Sequence, residues 1–244
     1  MTEKELLAKI DSEHAAEIFS ELYGEAQIDA ARQRYKSLVT GISNSGGFPD
    51  SELGEAVEGL RVFSAPGRTE LGGNHTDHNR GKVLAASIQL DSVAIVRERK
   101  DSTVFFRSTG HPDVKVKLTN SGGAPDLQPK PEERGMTESL IRGIAAELNR
   151  RGCAAGGFSA NAANAVFTGS GLSSSAAVEV LLGRIFDSLF GGGKRSALEL
   201  AQIGQFAENV YFEKPCGLMD QTACATGGAV MIDFADAEHP SVKQ

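Results

Sequence analysis

The sequence predicts an α+β fold, because after an N-terminal helical segment a run of extended patterns precedes a run of helical patterns. β-branched and apolar residues indicate strands at 61–65, 83–97, 103–107 and 114–118. Helical spacing is strongest from residue 136 onward. Strand runs followed by helix runs are typical of an α+β domain and not of an alternating, doubly wound sheet.

The N-terminal residues 2–42 have helical spacing, with apolar side chains on one side and charges on the other. We therefore expect a docking pair of helices there. Gly46, Gly47 and Pro49 interrupt any periodic element in the next segment, 43–56, which is the clearest linker in the chain. The sequence thus predicts an N-terminal helical extension at 1–55 and a second domain at 56–244.

The second domain continues with a polar run at 120–135 and then alternates helices with two extended segments. Helices are predicted at 136–151, from the serine-rich loop to about residue 190, and at 196–212, with three glycines at 191–193 as the break between the last two. Extended segments are predicted at 156–167 and 228–234, and residues 241–243 begin a further element.

The composition excludes several classes of protein. The chain has 244 residues and a net charge of -7, and it lacks the basic tract that a nucleic-acid partner requires. No apolar run is long enough to serve as a signal peptide or membrane span, so a membrane partner is not expected. Cys153, Cys216 and Cys224 form neither a disulfide framework nor a zinc spacing, which favours the reducing cytoplasm.

The most informative segment is TGSGLSSSAAVEV at 168–180, a glycine- and serine-rich loop that runs into a helix. Gly169 and Gly171 allow close approach of a ligand to the backbone, and free N–H groups at the start of a helix favour an anion such as phosphate. No lysine follows, as it would in a Walker loop, so backbone, hydroxyls and a metal would have to neutralise a nucleotide. An ordinary serine-capped helix is the alternative.

A second polar segment, APGRTELGGNHTDHNRG at 65–81, crowds charged and amide side chains between glycines. A polyhydroxylated small molecule would give these groups partners. A surface loop held by Asx turns is the alternative. A metal site at His75 and His78 is a weaker interpretation, because no further ligand set accompanies them.

A third segment, AENVYFEKPCGLMDQTACATGG at 207–228, contains two carboxylates with different neighbours. Near an anion-binding loop, one carboxylate can hold a cation while the other handles a proton. Glu208 and Asp220 are the candidates, and solvated surface carboxylates are the alternative.

The three segments together resemble the GHMP sugar kinases, in particular the galactokinases, in the order in which that family carries them. APGR with GxHTDxNxG is similar to the galactokinase sugar signature, GSGLSSSAA to the phosphate loop, and AE with PCGxMDQ to the metal and base segment. The similarity runs from about residue 61 to residue 228. It implies a GHMP kinase N-terminal domain of the ribosomal protein S5 domain 2-like fold, and a sugar kinase that uses ATP and Mg²⁺.

The resemblance also implies a role for each matching residue. Asp220 is expected to orient and deprotonate the attacking sugar hydroxyl, with Arg68 as its charged partner. Ser175 and Glu208 are expected to hold Mg²⁺. The expected sugar-binding residues are Asn74, His75, Asp77 and Gly217, and the expected ATP-binding residues are Gly169, Ser170, Gly171, Leu172, Ser173, Ser174, Ser175 and Ala176.

The chain also departs from the family pattern. Asn74 stands where galactokinases have a glutamate that contacts the sugar's exocyclic hydroxyl, so the preferred sugar can differ, with N-acetylgalactosamine or arabinose as alternatives to galactose. Asn209 replaces a histidine that is common after the metal glutamate. Nothing resembles the glycine-rich motif of the family's C-terminal domain, so that domain is an expected partner missing from this chain. A non-catalytic sensor of sugar or ATP is a further alternative.

Overall fold

The computed structural model describes residues 1–42, 59–154, 156–167, 169 and 171–244, and it confirms the predicted α+β class. Its helices are α1 (Glu3–Ile10), α2 (Glu13–Tyr23), α3 (Ile28–Ile42), α4 (Thr137–Arg150), α5 (Ser174–Phe186), α6 (Ala197–Phe206) and α7 (Met219–Thr226). Its strands are β1 (Arg61–Gly72), β2 (Lys82–Arg99), β3 (Thr103–Ser108), β4 (Val114–Lys117), β5 (Gly157–Asn164), β6 (Ala229–Asp233) and β7 (Ser241–Lys243). The predicted linker and the predicted domain boundary at 55/56 lie outside the described residues.

The chain forms two compact units, and the first comprises Met1–Ser64, Val93–Asp126 and Ala155–Ala163. In this unit β3 pairs antiparallel with β4 and parallel with β5. Helices α1 to α3 bury their apolar sides in a core whose buried side chains include Phe19, Tyr35, Val39, Ile95 and Phe105.

The N-terminal segment forms three helices where the sequence predicted a pair. Ser12 accepts a hydrogen bond from the Ala15 N–H and so starts a new helix only two residues after α1 ends. Gly24, with φ of 86°, ends α2 in a conformation that side chains other than glycine rarely adopt. A continuous apolar spacing concealed both breaks, because each break is made by a single polar or glycine residue.

The second unit comprises Ala65–Ser92, Leu127–Ala154 and Asn164–Gln244. The first half of β2 pairs antiparallel with β6, with Val83 opposite Ile232, and β6 pairs antiparallel with β7. The predicted element at 241–243 is thus the strand β7. The core next to these strands includes Met219 and Ala223 of α7.

Three features of this unit position the candidate site differently from the sequence prediction. Strand β1 continues to Gly72, so Arg68 lies on a strand and not in a loop. Helix α6 runs on as a π-helical turn, Ala207–Phe212, which contains Glu208 and ends at Glu213 with φ of 62°. Asp220 lies in the first turn of α7, a helix that the sequence did not predict, and an acidic residue there is favoured by the helix dipole.

None of the helices in the described part of the chain has the length and apolar character needed to cross a bilayer.

Candidate functional site

The three sequence motifs meet at the side chain of Arg68, within the second unit. Arg68 is only 5% exposed, and its Nε and Nη2 atoms donate to Oδ1 of Asp220 at 2.9 and 2.6 Å. Its Nη1 donates to the carbonyl oxygen of Gly171 at 2.6 Å. A buried guanidinium needs such partners, because leaving it unpaired would cost several kcal/mol (about 3–5). The arginine therefore fixes the positions of Asp220 and the glycine-rich loop relative to β1.

Strand β1 also contacts the loop through its backbone. The Arg68 N–H donates to the Leu172 carbonyl at 3.1 Å. A Cβ on Gly67 would stand 2.8 Å from that same carbonyl and 2.9 Å from Cγ1 of Val166, so a side chain at residue 67 would push the strand away. Gly67 thus allows the close approach on which the Arg68 contacts depend.

The loop turns through glycines and enters α5. Gly169 and Gly171 have φ of 77° and 75°, which glycine adopts without strain. Ser170, a predicted ATP-binding residue, lies outside the described residues. Ala176 is buried under the first turn of α5, so its side chain packs in the interior and only its backbone can serve a ligand.

The serines at the start of α5 have three different environments. The Ser173 hydroxyl donates to Oδ2 of Asp220 at 2.6 Å. The Ser174 hydroxyl accepts from Nδ2 of Asn164 at 2.8 Å. Ser175 is exposed in the first turn of the helix. No side chain caps the helix, so its first N–H groups can still bind an anion.

Asp220 therefore has both carboxylate oxygens engaged, Oδ1 by Arg68 and Oδ2 by Ser173. Its side chain is 33% exposed, so a ligand can still reach it. A carboxylate that is oriented, charged and accessible can accept a proton from a hydroxyl group that is placed against it. This arrangement has the geometry that a general base requires.

The polar segment after β1 forms a strained turn. Asn74, His75 and Arg80 have φ between 52° and 58°, a region that costs a non-glycine residue about 1–3 kcal/mol. Glu70 stabilises the turn by accepting from the His75 N–H at 2.9 Å and by lying 3.4 Å from its Nε2. Asn74 and His75 are both exposed. Such strain persists only where surrounding contacts determine the backbone, and it is frequent at ligand sites.

Asp77 links this turn to the segment before α7. Its Oδ2 accepts from the Met219 N–H at 3.3 Å, and its carboxylate lies directly against Gly217, where a Cβ would overlap it. Its other oxygen, Oδ1, is buried without a hydrogen-bond partner. A buried acceptor without a donor is costly, and a ligand hydroxyl would supply the donor. Asp77 and Gly217 are therefore brought together as predicted.

Glu208 lies in a buried polar cluster behind Asp220. Its Oε1 accepts from Nζ of Lys214 at 2.9 Å and its Oε2 from Nε2 of Gln221 at 3.0 Å. The same Gln221 nitrogen donates to Oε2 of Glu179 at 2.9 Å. Burial, followed by the nearby charge of Glu208, raises the pKa of Glu179 well above its ordinary value. The hydrogen bond to Glu208 raises the pKa of Lys214. Gln221 thus bridges two carboxyl groups, of which Glu179 favours its neutral form.

The donor chemistry around Glu208 fits a magnesium ion, which prefers oxygen ligands from one or two carboxylates and from phosphates. Glu208 already holds a cation, the ammonium of Lys214, whose side chain is 59% exposed. Ser175 presents a hydroxyl at the exposed start of α5. Among the described residues no group of three His, Cys, Asp or Glu could hold a metal, so His75 and His78 lack a ligand set.

Asn209 holds the segment that precedes Gly217. Its Oδ1 accepts from the Cys216 N–H at 2.7 Å, and its Nδ2 donates to the Cys216 carbonyl at 3.3 Å. Gln205 donates to the same carbonyl at 3.3 Å. The sequence singled out Asn209 only as a departure from a family pattern, and it missed Gln205, Glu179 and Gln221. The proximity of Gln205 to Glu208 and of Gln221 to Asp220 in sequence was the available signal, whereas Glu179 lies far from both carboxylates along the chain.

Comparison with protein families supports this arrangement. The family described as "GHMP kinases N terminal domain" matches residues 139–228, and the family described as "Galactokinase galactose-binding signature" matches residues 51–98. The first match contains the loop, Glu208 and Asp220, and the second contains Arg68 and Asp77. The two family matches therefore fall on the same motifs that converge in the structure.

Curated relatives and solved structures point the same way. The galactokinase of Clostridium tetani is 33% identical over 183 residues, which cover 74% of this chain and 45% of that protein. The galactokinase of Bacillus subtilis is 36% identical over 171 residues, covering 70% of this chain and 42% of that protein. The chain thus spans about half the length of the curated relatives it matches.

The structure of Lactococcus lactis galactokinase complexed with galactose superposes with a TM-score of 0.66 at 26% identity, covering 94% of this chain and 50% of that one. A mevalonate kinase from Methanococcus jannaschii superposes with a TM-score of 0.59 at 16% identity, covering 77% of this chain and 56% of that one. The second likeness shows the fold alone.

Proposed function

From the premise that this chain belongs to the GHMP kinases, we propose that it forms the sugar- and ATP-binding part of a kinase that phosphorylates the anomeric hydroxyl of galactose or a close relative. The observation that carries the proposal is the contact of Asp220 with both Arg68 and Ser173. Residues from all three motifs thereby surround one accessible carboxylate. The free cysteines Cys153, Cys216 and Cys224 are consistent with a reducing cytoplasm.

In the proposed mechanism Asp220 orients the sugar hydroxyl and accepts its proton while the hydroxyl oxygen attacks the γ-phosphorus of ATP. A bond forms between that oxygen and phosphorus, and the bond to the bridging oxygen of ADP breaks. Arg68 holds Oδ1 of Asp220, so that the carboxylate stays oriented, and its positive charge favours the negative charge of the transferring group. The protein contributes mainly position and charge.

The sugar is proposed to bind where Asp77 and Gly217 meet. Oδ1 of Asp77 is a buried acceptor that a ring hydroxyl can satisfy, and Gly217 leaves the space that the Asp77 carboxylate occupies. Asn74 and His75 lie exposed on the strained turn beside Asp77 and complete the proposed sugar site.

ATP is proposed to bind at the start of α5, with its phosphates against the backbone N–H groups of the glycine-rich loop and of the first helical turn. Mg²⁺, when bound, would neutralise the phosphate charge, and Ser175 and Glu208 are the residues proposed to hold it. We further propose that a C-terminal domain, which this chain does not span, completes the active enzyme.

Asn74 favours a second candidate, a kinase with the same chemistry and a different acceptor. An amide both donates and accepts hydrogen bonds, whereas a carboxylate only accepts, so a substituent other than the galactose hydroxyl can be preferred at this position. N-acetylgalactosamine and arabinose are the acceptors to compare with galactose and glucose.

The test is a coupled ADP-release assay on the protein at its full native length, with these four sugars and with Asp220→Asn. We expect turnover with at least one sugar, and we expect Asp220→Asn to abolish turnover while sugar affinity stays within about tenfold. Measurable sugar binding without turnover of any sugar would select a non-catalytic sensor. An active Asp220→Asn variant would remove Asp220 from the role of base.

A further inference from the structure

Ser173 occupies the N-cap position of α5 but does not act as a helix cap. A serine at this position ordinarily has extended backbone angles and accepts a hydrogen bond from an N–H of the first helical turn. Ser173 instead has φ of 59° and ψ of 53°, and its side chain makes no capping bond. The left-handed conformation is unfavourable for a residue that has a Cβ. A contact elsewhere must therefore hold Ser173 in place.

That contact is the hydrogen bond from the Ser173 hydroxyl to Oδ2 of Asp220, at 2.6 Å. A donor at this distance from an ionised acceptor makes a strong, charge-assisted bond. Arg68 donates through Nε and Nη2 to the other oxygen, Oδ1, so Ser173 is the donor to Oδ2. Donors on both oxygens hold the carboxylate at two points.

We propose that Ser173 is a positioning residue for Asp220, whose hydroxyl sets the orientation of this carboxylate and does not serve as a phosphate ligand. Its catalytic consequence rests on the proposed kinase function. The proposal revises the expectation that the hydroxyls of Ser173 and Ser174 contact ATP, because Ser173 is bonded to Asp220 and Ser174 to Asn164. Ser175 is exposed. Phosphate binding then falls to the backbone N–H groups and to Ser175.

The first test compares steady-state kinetics of Ser173→Ala, Ser173→Gly and Ser175→Ala in the protein at its full native length. If Ser173 positions Asp220, both variants of Ser173 lower kcat by about tenfold or more and leave KM for ATP within about threefold. Ser175→Ala should raise KM for ATP. Ser173→Gly is informative because glycine adopts the left-handed conformation without strain, so the two Ser173 variants share only the loss of the hydroxyl.

A rise in KM for ATP at unchanged kcat in Ser173→Ala would overturn the proposal and make Ser173 a phosphate ligand. Full activity of Ser173→Gly would also overturn it, since the hydroxyl would then be dispensable.

The second test does not depend on activity. Thermal unfolding of the 244-residue chain is measured for Ser173→Ala in two backgrounds, with Asp220 and with Asp220→Asn. We expect Ser173→Ala to lower Tm by about 2–4 °C beside Asp220 and by clearly less beside the neutral amide. Equal shifts in the two backgrounds would show that the hydroxyl does not act through Asp220. If the protein phosphorylates no sugar, the kinase proposal is wrong. The comparison of the Tm shifts still tests whether the Ser173 hydroxyl acts through Asp220.

Discussion

Gly217 is the residue at which the structure constrains the proposed sugar site most tightly. A Cβ at this position would overlap the carboxylate of Asp77 and stand 3.1 Å from Nε2 of His78. We predict that Gly217→Ala displaces Asp77 and lowers sugar affinity by about tenfold or more, because a small displacement of a binding group weakens every contact it makes. Calorimetric titration of the chain with galactose measures the loss.

The matched control is Gly72→Ala at the end of β1, where an added Cβ would meet nothing within 4 Å. This variant should bind galactose like the parent chain. Thermal unfolding of both variants verifies that they are folded. Unchanged galactose affinity in a folded Gly217→Ala variant would show that Gly217 and Asp77 are not part of the sugar site.

At the residue scale the sequence predicted which side chains belong to the candidate site better than it predicted what they contact. Arg68, Asp77, Gly217 and Asp220 were selected from motifs, and the structure places them in two contacting pairs. The bond between Ser173 and Asp220 could not be foreseen, because it joins residues 47 positions apart and depends on a left-handed backbone at Ser173. Sequence patterns carry little information about such backbone angles in a non-glycine residue.

The buried cluster behind Asp220 belongs to the scale of elements, since it joins α5, the π-helical turn and α7. Glu179 of α5 is fully buried and one of its oxygens, Oε1, has no hydrogen-bond partner. Its pKa is raised well above the ordinary value by burial and then by the charge of Glu208. The neutral form of Glu179 is therefore the form that is compatible with helix packing.

We predict that Glu179→Gln changes how stability depends on pH. The pKa of Glu179 is raised in the folded state. The contribution of Glu179 to folding stability is therefore fully present below its ordinary pKa and is lost as pH rises through the raised pKa. In that pH range the parent chain loses up to about 1.4 kcal/mol of unfolding free energy per pH unit because Glu179 ionises. A glutamine at this position stays neutral and causes no such loss. The free energy of unfolding of the variant should therefore increase relative to that of the parent as pH rises from acidic to neutral. Urea unfolding at several pH values measures this difference.

Glu132→Gln serves as the control, because Glu132 is an exposed glutamate of the same unit. Its unfolding curve should follow the parent at every pH. Parallel pH profiles for Glu179→Gln and the parent would mean that Glu179 is not held in its neutral form.

Helix α7 is the element that the sequence missed, and its composition explains why. It has only 8 residues, MDQTACAT, and ends at Gly227 with φ of 73°. Aspartate, threonine and cysteine are weak helix formers, and the N-cap residue, Leu218, makes no capping bond. Packing of Met219 and Ala223 into the core stabilises the helix, and this tertiary contribution is invisible to local patterns. The helices predicted at 136–151 and 196–212 were found because they are longer, although the second ends in a π-helical turn.

At the scale of the molecule, the α+β class followed from the order of strand and helix patterns, whereas the division into units did not. The first unit combines the N-terminal helices with residues 93–126 and 155–163. A single domain boundary in the sequence cannot describe this division, because β2 contributes residues to both units. All the described residues of the candidate site lie in the second unit. The motifs and their order along the chain were therefore sufficient to identify these residues.

The 244-residue chain spans 45% and 42% of two galactokinases it resembles. Asp220 is one-third exposed and Ser175 is exposed, so water has access to the positions proposed for both substrates. Phosphoryl transfer is favoured where water is excluded and charges act in a low dielectric. We therefore expect the isolated 244-residue chain to bind a nucleotide weakly and to release ADP at least about 10²-fold more slowly than the protein at its full native length. Side-by-side coupled assays and nucleotide titrations measure both quantities. A rate in the isolated chain equal to that of the full-length protein would show that the residues described here suffice for catalysis.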